Sequence, residues 1–436
     1  MSIEVIYAGS ITNMSDVPGH PVFMVTLGAA TAPSLVVKGE QVAGDETEVD
    51  ITLSARWAGK LMKHVNNPDA AVKPLSPPEM TEFRKFATAK FGANSEACRN
   101  FNDRRVWVKM KYVPNLFDAE FTKKVPKLGK PLQDVEIVEK KKLKKLVSLF
   151  LKNETWKQLG RVVAVDLFNT NLDRFKWTSA QQVSVANEGN ILFAFAEDGD
   201  AGRTVVLGLD AFHAGEANQS GANLNQPLDR FPSARIGLDI LRAHQSRQAF
   251  ALSCTRAVAE QIRNRMQATK KNDYAKTAFY NIELEDTHEV VQITIENVLD
   301  LYSEGVDPFA TGLEEGMNEL RDYLLRKKRD YEPPPQPQPQ PQRGFVPVQQ
   351  RGGPIQPGVG GRGAPLFMGG QRQGPQGGAG LPNQGGIGLP NQGGAGVPNL
   401  GGQRPGPPQG GPMVQQGPVK TLPRGVLDRM EYLQWR

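Results

Sequence analysis

The sequence predicts an α+β protein of two lobes, followed by a long tail without a core of its own. Short β-branched runs fill the first 40 residues, helix-period apolar patterns dominate later, and the composition changes abruptly at Glu332. These changes predict a small lobe over residues 1–114 and a helical lobe over 115–330. A disordered Pro/Gln/Gly-rich segment over 331–420 and a short docking segment over 421–436 complete the chain.

The small lobe is predicted from apolar runs that Gly, Pro, Asn and Asp separate. In chain order we expect strands over 3–8, 21–28 and 33–39, helices over 49–65 and 78–91, and a strand over 104–114. Strands, helices and a last strand that stops at a Pro-Asn turn indicate a sheet with helices packed on it.

The large lobe is predicted from a 3.6-residue apolar period. We expect helices over 141–153 and 155–170, a hairpin of 190–196 with 204–210, a polar segment over 211–233, and long helices from 236 to about 329. The polar segment has almost no periodicity, so we expect it to act as a lid-like loop.

The tail has a composition that cannot form a core. Roughly two thirds of the residues from Glu332 to Arg424 are Pro, Gly or Gln, so too little apolar surface is available to offset chain entropy. Apolar spacing returns only after Thr421, and we expect this last segment to dock on a protein partner. Transfer chemistry should not need the tail.

The positive charge of the chain also lies in the tail. Residues 331–424 hold seven Lys or Arg and one acidic residue, which accounts for the whole net charge of +6 and leaves residues 1–330 neutral. The charge balance therefore does not favour a nucleic-acid partner for the folded part.

The remaining composition fits a cytoplasmic protein. Cys98 and Cys254 have neither disulfide nor zinc spacing and are predicted to be buried thiols. The N-terminus lacks the pattern of a signal peptide, and no apolar run is long enough to span a membrane. Secretion into a host cell by a route without a cleaved signal stays open.

Polar side chains mark the ends of three elements in the large lobe. The helix in LGRVVAVDLFNT leads to Asp173 and Arg174, the run NEGNILF contains Asn190, and VVLGLD ends at Asp210. Phosphoryl transfer needs one carboxylate that orients a hydroxyl and accepts its proton, and further oxygen ligands that hold metal ions. The pattern predicts Asp173 and Arg174 as catalytic residues, and Asn190 and Asp210 as Mg²⁺ ligands. A solvated Asp–Arg pair at a helix end is the alternative.

The small lobe supplies candidates for nucleotide binding. Lys38 ends the apolar run PSLVVKGE, from which a lysine can reach phosphates in catalysis. Glu46, Glu48 and Asp50 lie at or before the start of the next helix, where acids also favour the helix dipole, and of these Glu48 is the predicted acidic partner of Lys38. Gly9 and Ser10 lie between the first two strands, where small residues let backbone amides approach phosphate, although an ordinary turn explains them equally well.

The runs LGRVVAVDLFNTNLDRF, NEGNILF and LGLDAF together resemble the actin-fragmin kinase catalytic domain family. This family is a divergent branch of the protein kinase-like fold, related to phosphoinositide 3/4-kinases. The resemblance is densest over residues 155–212, follows the same order across 1–330 and leaves the tail out. The glycine loop is poorly marked, and the 17 positions from Asp173 to Asn190 exceed the spacing of ordinary protein kinases.

The resemblance implies roles for individual residues. Asp173 takes the catalytic aspartate role, Asn190 and Asp210 the metal-binding roles, and Lys38 the role of the lysine that contacts ATP. Met110 begins the implied hinge, beside which ATP is expected to bind. The implied fold is the two-lobed protein kinase-like fold.

Together the residues and the resemblance predict an ATP- and Mg²⁺-dependent protein kinase that phosphorylates Ser or Thr. An actin-like or other cytoskeletal substrate follows from the resemblance alone. One alternative is a lipid or small-molecule kinase, which a basic surface from residues 140–145 would favour. The other is a nucleotide-binding pseudokinase scaffold that acts by binding partners through its tail. The presence of Asp173, Asn190 and Asp210 argues against it.

Overall fold

The described residues form a mixed α+β structure, as the sequence predicted. The computed structural model describes residues 11–13, 21–28, 33–42, 46–67, 69–114, 116–119, 143–195, 204–209, 212, 224–230, 232–272, 279–283, 288–331 and 421–436. The predicted strand over 3–8, most of the predicted lid over 211–233 and the tail over 332–420 lie outside these ranges.

The N-terminal part of the structure is an antiparallel sheet with two helices against it. Five strands pair in the order β1-β2-β3-β5-β4. The elements are β1 (Ile11–Asn13), β2 (Val22–Val25), β3 (Leu35–Gln41), α1 (Glu48–Val65), β4 (Lys73–Pro74), α2 (Pro77–Phe91), α3 (Glu96–Arg99) and β5 (Arg105–Lys111). At the start of α1 the hydroxyl of Thr47 accepts the amide of Asp50, and at the start of α2 the carboxylate of Glu79 accepts the amide of Ser76.

The two faces of this sheet carry different residues. Phe23, Val37 and Trp107 belong to a separate aromatic core with Phe83 of α2. The opposite face carries Val108, which belongs to the main core together with residues of α1. Alternation along β3 therefore assigns Val37 to the aromatic core and Lys38 to the face of Val108, its cross-strand neighbour.

The rest of the chain is largely helical. Its helices are α4 (143–150), α5 (Asn153–Asn169), α6 (Pro232–Arg242), α7 (His244–Asn272), α8 (Val298–Ser303), α9 (Val306–Tyr331) and α10 (Arg424–Tyr432). Its strands are β6 (Phe117–Asp118), β7 (Phe175–Ser179), β8 (Gln182–Val185), β9 (Leu192–Phe195), β10 (Thr204–Leu207), β11 (Phe279–Glu283) and β12 (Val290–Thr294).

Two predictions for the large lobe were wrong in detail. The long helix expected over 236–266 breaks at Ala243, which separates α6 from α7. The helices expected up to about 329 are interrupted by the antiparallel pair β11 and β12. The period-2 pattern of VVQIT identifies β12 in retrospect, but the charged residues around it obscured the strand.

The predicted hairpin after residue 190 is present. β9 pairs antiparallel with β10, and Leu192 lies opposite Leu207. β6 adds a third strand on the other side of β9. The register puts residues just before β9 at the same end of the hairpin as residues just after β10. These two segments carry predicted site residues, so the hairpin brings them close together.

Helix α5 is the central helix of the large core, and it packs against α9 at very short range. Gly160 and Gly312 lie at the crossing, where a Cβ on either would collide with a backbone carbonyl of the other helix. A Cβ on Gly316 would lie 2.8 Å from the Cβ of Ala164. Glycine therefore allows two backbones to pack more closely than side chains permit.

None of the helices in the described part of the chain has the length and apolar composition needed to cross a bilayer. The longest of them, α7 with 29 residues, carries charged residues along its length. Both cysteines are buried and free, as predicted.

We expect Gly312→Ala to destabilise the protein although alanine favours helices. The added methyl group meets the carbonyl of Lys157, and overpacking of this kind costs about 1–3 kcal/mol. The free energy of unfolding from denaturant titration measures the effect. Thr311→Ala, at the exposed neighbouring position of α9, is the control, and equal stability of the two variants would contradict the packing argument.

Candidate active site

The candidate site begins where α5 ends. The helix is buried along most of its last three turns, including Asp166 and Asn169. It stops at Thr170, which adopts the left-handed conformation at φ 60°. This conformation is unfavourable for a β-branched residue and persists only when the surrounding structure enforces it.

Polar groups at this helix end are buried, and some have no partner. Among the described residues, both side-chain polar atoms of Asn169 and the hydroxyl of Thr170 are buried without a hydrogen bond. Such groups cost about 1–3 kcal/mol each, so other contacts must offset the cost. The loop carrying Asp173 therefore begins in a locally unfavourable segment.

The loop after α5 is held by side-chain hydrogen bonds. The backbone amide of Asn171 donates to the carbonyl oxygen of Asp166 at 2.8 Å, and its side-chain amide donates to Asp166 Oδ1 at 3.0 Å. Asn171 Oδ1 accepts the backbone N–H of Asp173 at 3.3 Å. This short turn fixes the backbone of Asp173 relative to α5.

A β-hairpin explains how two distant positions meet. β7 and β8 pair antiparallel directly after Arg174, and the amide of Ala186 donates to the carbonyl of Arg174 at 3.1 Å. The chain thus returns to its starting point before Asn190. Asn190 Nδ2 donates to Asp173 Oδ2 at 2.7 Å across the 17 positions that separate them.

Arg174 connects the parts of this site. Its guanidinium is buried and forms an ion pair with Asp166. Nε donates to the carbonyl of Asn190 at 2.8 Å, and a terminal nitrogen donates to the carbonyl of Leu209, also at 2.8 Å. The guanidinium therefore connects three separate segments, and the predicted catalytic role of Arg174 stays a prediction.

Asp166 is the buried anion of the site. Burial raises the pKa of its carboxyl group, the charge and hydrogen bond of Arg174 and the hydrogen bond from Asn171 oppose this rise, and the nearby charge of Asp173 adds to it. An unpaired carboxylate in this position would be very costly, so the ion pair with Arg174 is essential to the local structure.

The end of β10 is fixed from two sides. Asn66, which follows α1, donates to the carbonyl of Val206 at 2.9 Å and accepts the amide of Gly208 at 2.7 Å. Arg174 holds Leu209 from the other side. Asp210, the predicted metal ligand that follows Leu209 in the chain, lies outside the described residues.

Lys38 has a different acidic partner from the predicted one. Lys38 Nζ lies 3.1 Å from Glu40 Oε1, and both side chains are buried. The two residues are two positions apart on β3 and therefore share a face. Glu48 is an exposed residue of the first turn of α1, where its charge favours the helix dipole.

The other nucleotide-binding candidates are only partly described. Met110 lies opposite Val36, two positions before Lys38, so it shares the face of the sheet that carries Lys38. Gly9 and Ser10 lie outside the described residues. Lys38 and Met110 thus form one group on the sheet, while Asp173, Arg174 and Asn190 form another at the end of α5.

The oxygen atoms of the group at the end of α5 are ligands that suit Mg²⁺. Asn190 uses its amide nitrogen on Asp173, which leaves its amide oxygen as the atom that can bind a cation. Amide and carboxylate oxygens are the ligands that Mg²⁺ prefers. Within the described ranges no cluster of three or more His, Cys, Asp or Glu side chains could hold a metal ion, so the predicted set depends on Asp210.

Comparison with known proteins adds no relative. No protein-family model matches the chain, and neither curated proteins nor solved structures gave a match. The resemblance drawn from the sequence motifs therefore stays a prediction, and the geometry of the site carries the functional argument.

Several residues of the site were not predicted as such. The sequence showed Asp166 and Asn171 near the same turn, but their bonds to Arg174 and Asp173 depend on the fold. Glu40 could have been found from its i, i+2 spacing with Lys38 on a strand. No local signal identified Leu209 as a ligand of Arg174, because the bond uses its backbone.

We expect Arg174→Met to be strongly destabilising. The substitution leaves the buried carboxylate of Asp166 without its cation, and breaking a buried ion pair in this way costs about 3–5 kcal/mol. Denaturant unfolding of the full chain measures the loss. Arg256→Met removes an exposed arginine that pairs with Glu260, and it should change stability by less than about 0.5 kcal/mol.

The double variant Asp166→Asn, Arg174→Met should recover part of the lost stability, since no charge is then left buried. A single Arg174→Met variant as stable as the Arg256→Met control would show that the ion pair does not hold the site together.

Proposed function

We propose that the chain is an ATP-dependent protein kinase with a two-lobed protein kinase-like fold. The observation that supports this most directly is the direct contact of Asp173 with Asn190, held by Arg174 beside the residue that precedes Asp210. Phosphoryl transfer needs a carboxylate for the hydroxyl, here Asp173, close to metal ligands, here Asn190 and Asp210. The antiparallel sheet that carries a buried lysine in its third strand adds support.

Asp173 acts on the hydroxyl that is phosphorylated. Its carboxylate orients the hydroxyl and takes its proton while the hydroxyl oxygen bonds to the terminal phosphorus of ATP. The bond from that phosphorus to the bridging oxygen breaks, and ADP leaves. The hydrogen bond from Asn190 keeps one carboxylate oxygen fixed and leaves the other for the hydroxyl.

Asn190 and Asp210 would hold Mg²⁺. When bound, the ion would neutralise charge on the phosphates of ATP. The contribution of the chain is to bring Asn190 and the end of β10 together through the guanidinium of Arg174.

Lys38 binds the phosphates of ATP from the sheet. Glu40 keeps the ammonium group oriented, because a lysine side chain without a fixed partner retains much of its rotational freedom. Met110, on the same face, contacts the base in the proposed complex.

The acceptor is a Ser or Thr hydroxyl of a protein, and a cytoskeletal protein is the substrate class that the sequence resemblance suggests. The lipid-kinase alternative depended on a basic surface at 140–145, of which only 143–145 are described. No observation in the described residues favours it. Parallel assays with a protein mixture and with phosphoinositide vesicles separate the two acceptors.

Asp173→Asn should abolish most of the activity and preserve the fold. Asparagine can still accept the hydrogen bond from Asn190 but cannot take a proton, so transfer from labelled ATP with Mg²⁺ should fall by about 10²–10⁴-fold. ATP affinity, measured by calorimetry, should stay unchanged. Asp300→Asn, at an exposed position of α8, is the matched control. Full transfer by Asp173→Asn would disprove the assignment.

Lys38→Met should weaken ATP binding. A charge-assisted hydrogen bond contributes about 1.5–3 kcal/mol, so the dissociation constant should rise about tenfold or more. Lys73→Met, at an exposed position of edge strand β4, removes the same charge from the same sheet and should have little effect. Equal ATP affinity of the two variants would remove Lys38 from the nucleotide site.

A further inference from the structure

The last residues of the chain fold back onto the main structure. Residues 421–436 belong to the same compact unit as the residues before Glu332. The apolar positions of this C-terminal segment are buried in the main core: Leu422, Val426, Met430, Leu433 and Trp435. The sequence predicted a hook for another molecule, but the structure shows that this face is covered by the chain itself.

The C-terminal segment packs on the end of α5. The rings of Trp435 and Phe168 stack in parallel, with their centroids 5.7 Å apart and an angle of 3° between their planes. Arg429 Nε donates to the carbonyl oxygen of Phe168 at 2.8 Å. Phe168 lies five positions before Asp173, so both contacts are made at the base of the candidate catalytic loop.

Arg429 donates a hydrogen bond to a carbonyl oxygen that has no partner within the helix. The last four carbonyls of an α-helix lack intrahelical partners, and the carbonyl of Phe168 is one of them. A cation at a helix C-terminus also interacts favourably with the helix dipole. Arg429 is a tertiary cap of α5 supplied from a distant part of the sequence.

Burial of this guanidinium is costly and needs several partners. Arg429 is entirely buried, and desolvation lowers its pKa to about 10. Besides Phe168, it donates to the carbonyl of Gly425 at 2.9 Å. A charge this deep is retained only where its hydrogen bonds offset desolvation, so its position is closely defined.

A second contact joins the segment to residues 224–228. Asp428 Oδ2 accepts the amide of Leu228 at 3.0 Å, and Gly425 packs so closely that a Cβ would lie 2.8 Å from the carbonyl oxygen of Leu224. The amide of Leu224 in turn donates to Ser54 of α1 at 2.9 Å. The segment therefore binds the described end of the predicted lid as well as the end of α5.

We infer that Arg429 is a positioning residue for the Asp173 loop, and that the C-terminal segment is an internal part of the candidate active site. The inference rests on the proposed function, in which Asp173 is catalytic. The strained Thr170 and the unpaired Asn169 lie between Phe168 and Asp173, so this stretch needs external support to hold one conformation. Arg429 and Trp435 provide it.

Hydrogen exchange and kinetics of full-length variants test this inference. We expect Arg429→Gln to speed amide exchange at residues 168–174 and to lower kcat about tenfold or more, with the KM for ATP unchanged. Arg429→Lys, which keeps a donor and the charge, should recover part of the rate. Arg424→Gln makes the same chemical change at an exposed position of α10 and should leave both readouts unchanged.

Gly425→Ala provides an independent route to the same result. Alanine favours the helix, but its methyl group would collide with the carbonyls of Leu224 and Gln226, so the segment should undock while α10 itself is stabilised. Faster exchange at 168–174 in this variant supports the inference. Unchanged exchange and kcat in both Arg429→Gln and Gly425→Ala would overturn it.

The aromatic core around Trp107 is the internal reference for these variants. If Arg429→Gln also removes protection there, Arg429 supports the whole fold and the inference is wrong. Failure of the proposed function is distinguishable: wild-type protein would transfer no phosphate, while slower exchange at 168–174 in the wild type than in Arg429→Gln would still establish the structural contact.

Discussion

The buried guanidinium of Arg174 is the interaction on which the candidate site depends. It joins Asp166 in the last turn of α5 to Asn190, two positions before β9, and to Leu209, two positions after β10. A guanidinium suits this task because its planar set of donors points in several directions at once, which an ammonium group cannot match geometrically. The ion pair with Asp166 offsets the cost of removing the guanidinium from water. The three segments are consequently held as one rigid group.

The elements of the fold were largely predictable from sequence. The helical periodicity of α1 and α5 and the apolar runs of β3, β9 and β10 each reflect burial, which local sequence encodes directly. The predictions failed where tertiary contacts decide. The break at Ala243 and the β7–β8 hairpin both carry weak local signals. In the hairpin, Trp177 is fixed by packing on Phe250 of a helix distant in sequence.

The candidate site was predictable in its residue types but not in its connections. Asp173 and Asn190 were expected to act together, and they are in direct contact. The choice of Glu48 as the partner of Lys38 was wrong because it relied on the order of elements in a family and neglected the alternation of a strand, which puts Glu40 beside Lys38. Arg429 could not have been found, because its contact with Phe168 spans 261 positions of sequence and ends on a backbone carbonyl.

The hairpin of β7 and β8 returns the chain to its starting point. The number of residues between Asp173 and Asn190 therefore does not determine the distance between their side chains. It is closed at its base by the bond from Ala186 to Arg174, and its tip is exposed at Gln181. Loop closure costs rise only slowly with length, so extra residues at such a tip hardly burden the closed base. A peptide epitope or fluorophore inserted there would report on the neighbourhood of the site without displacing it.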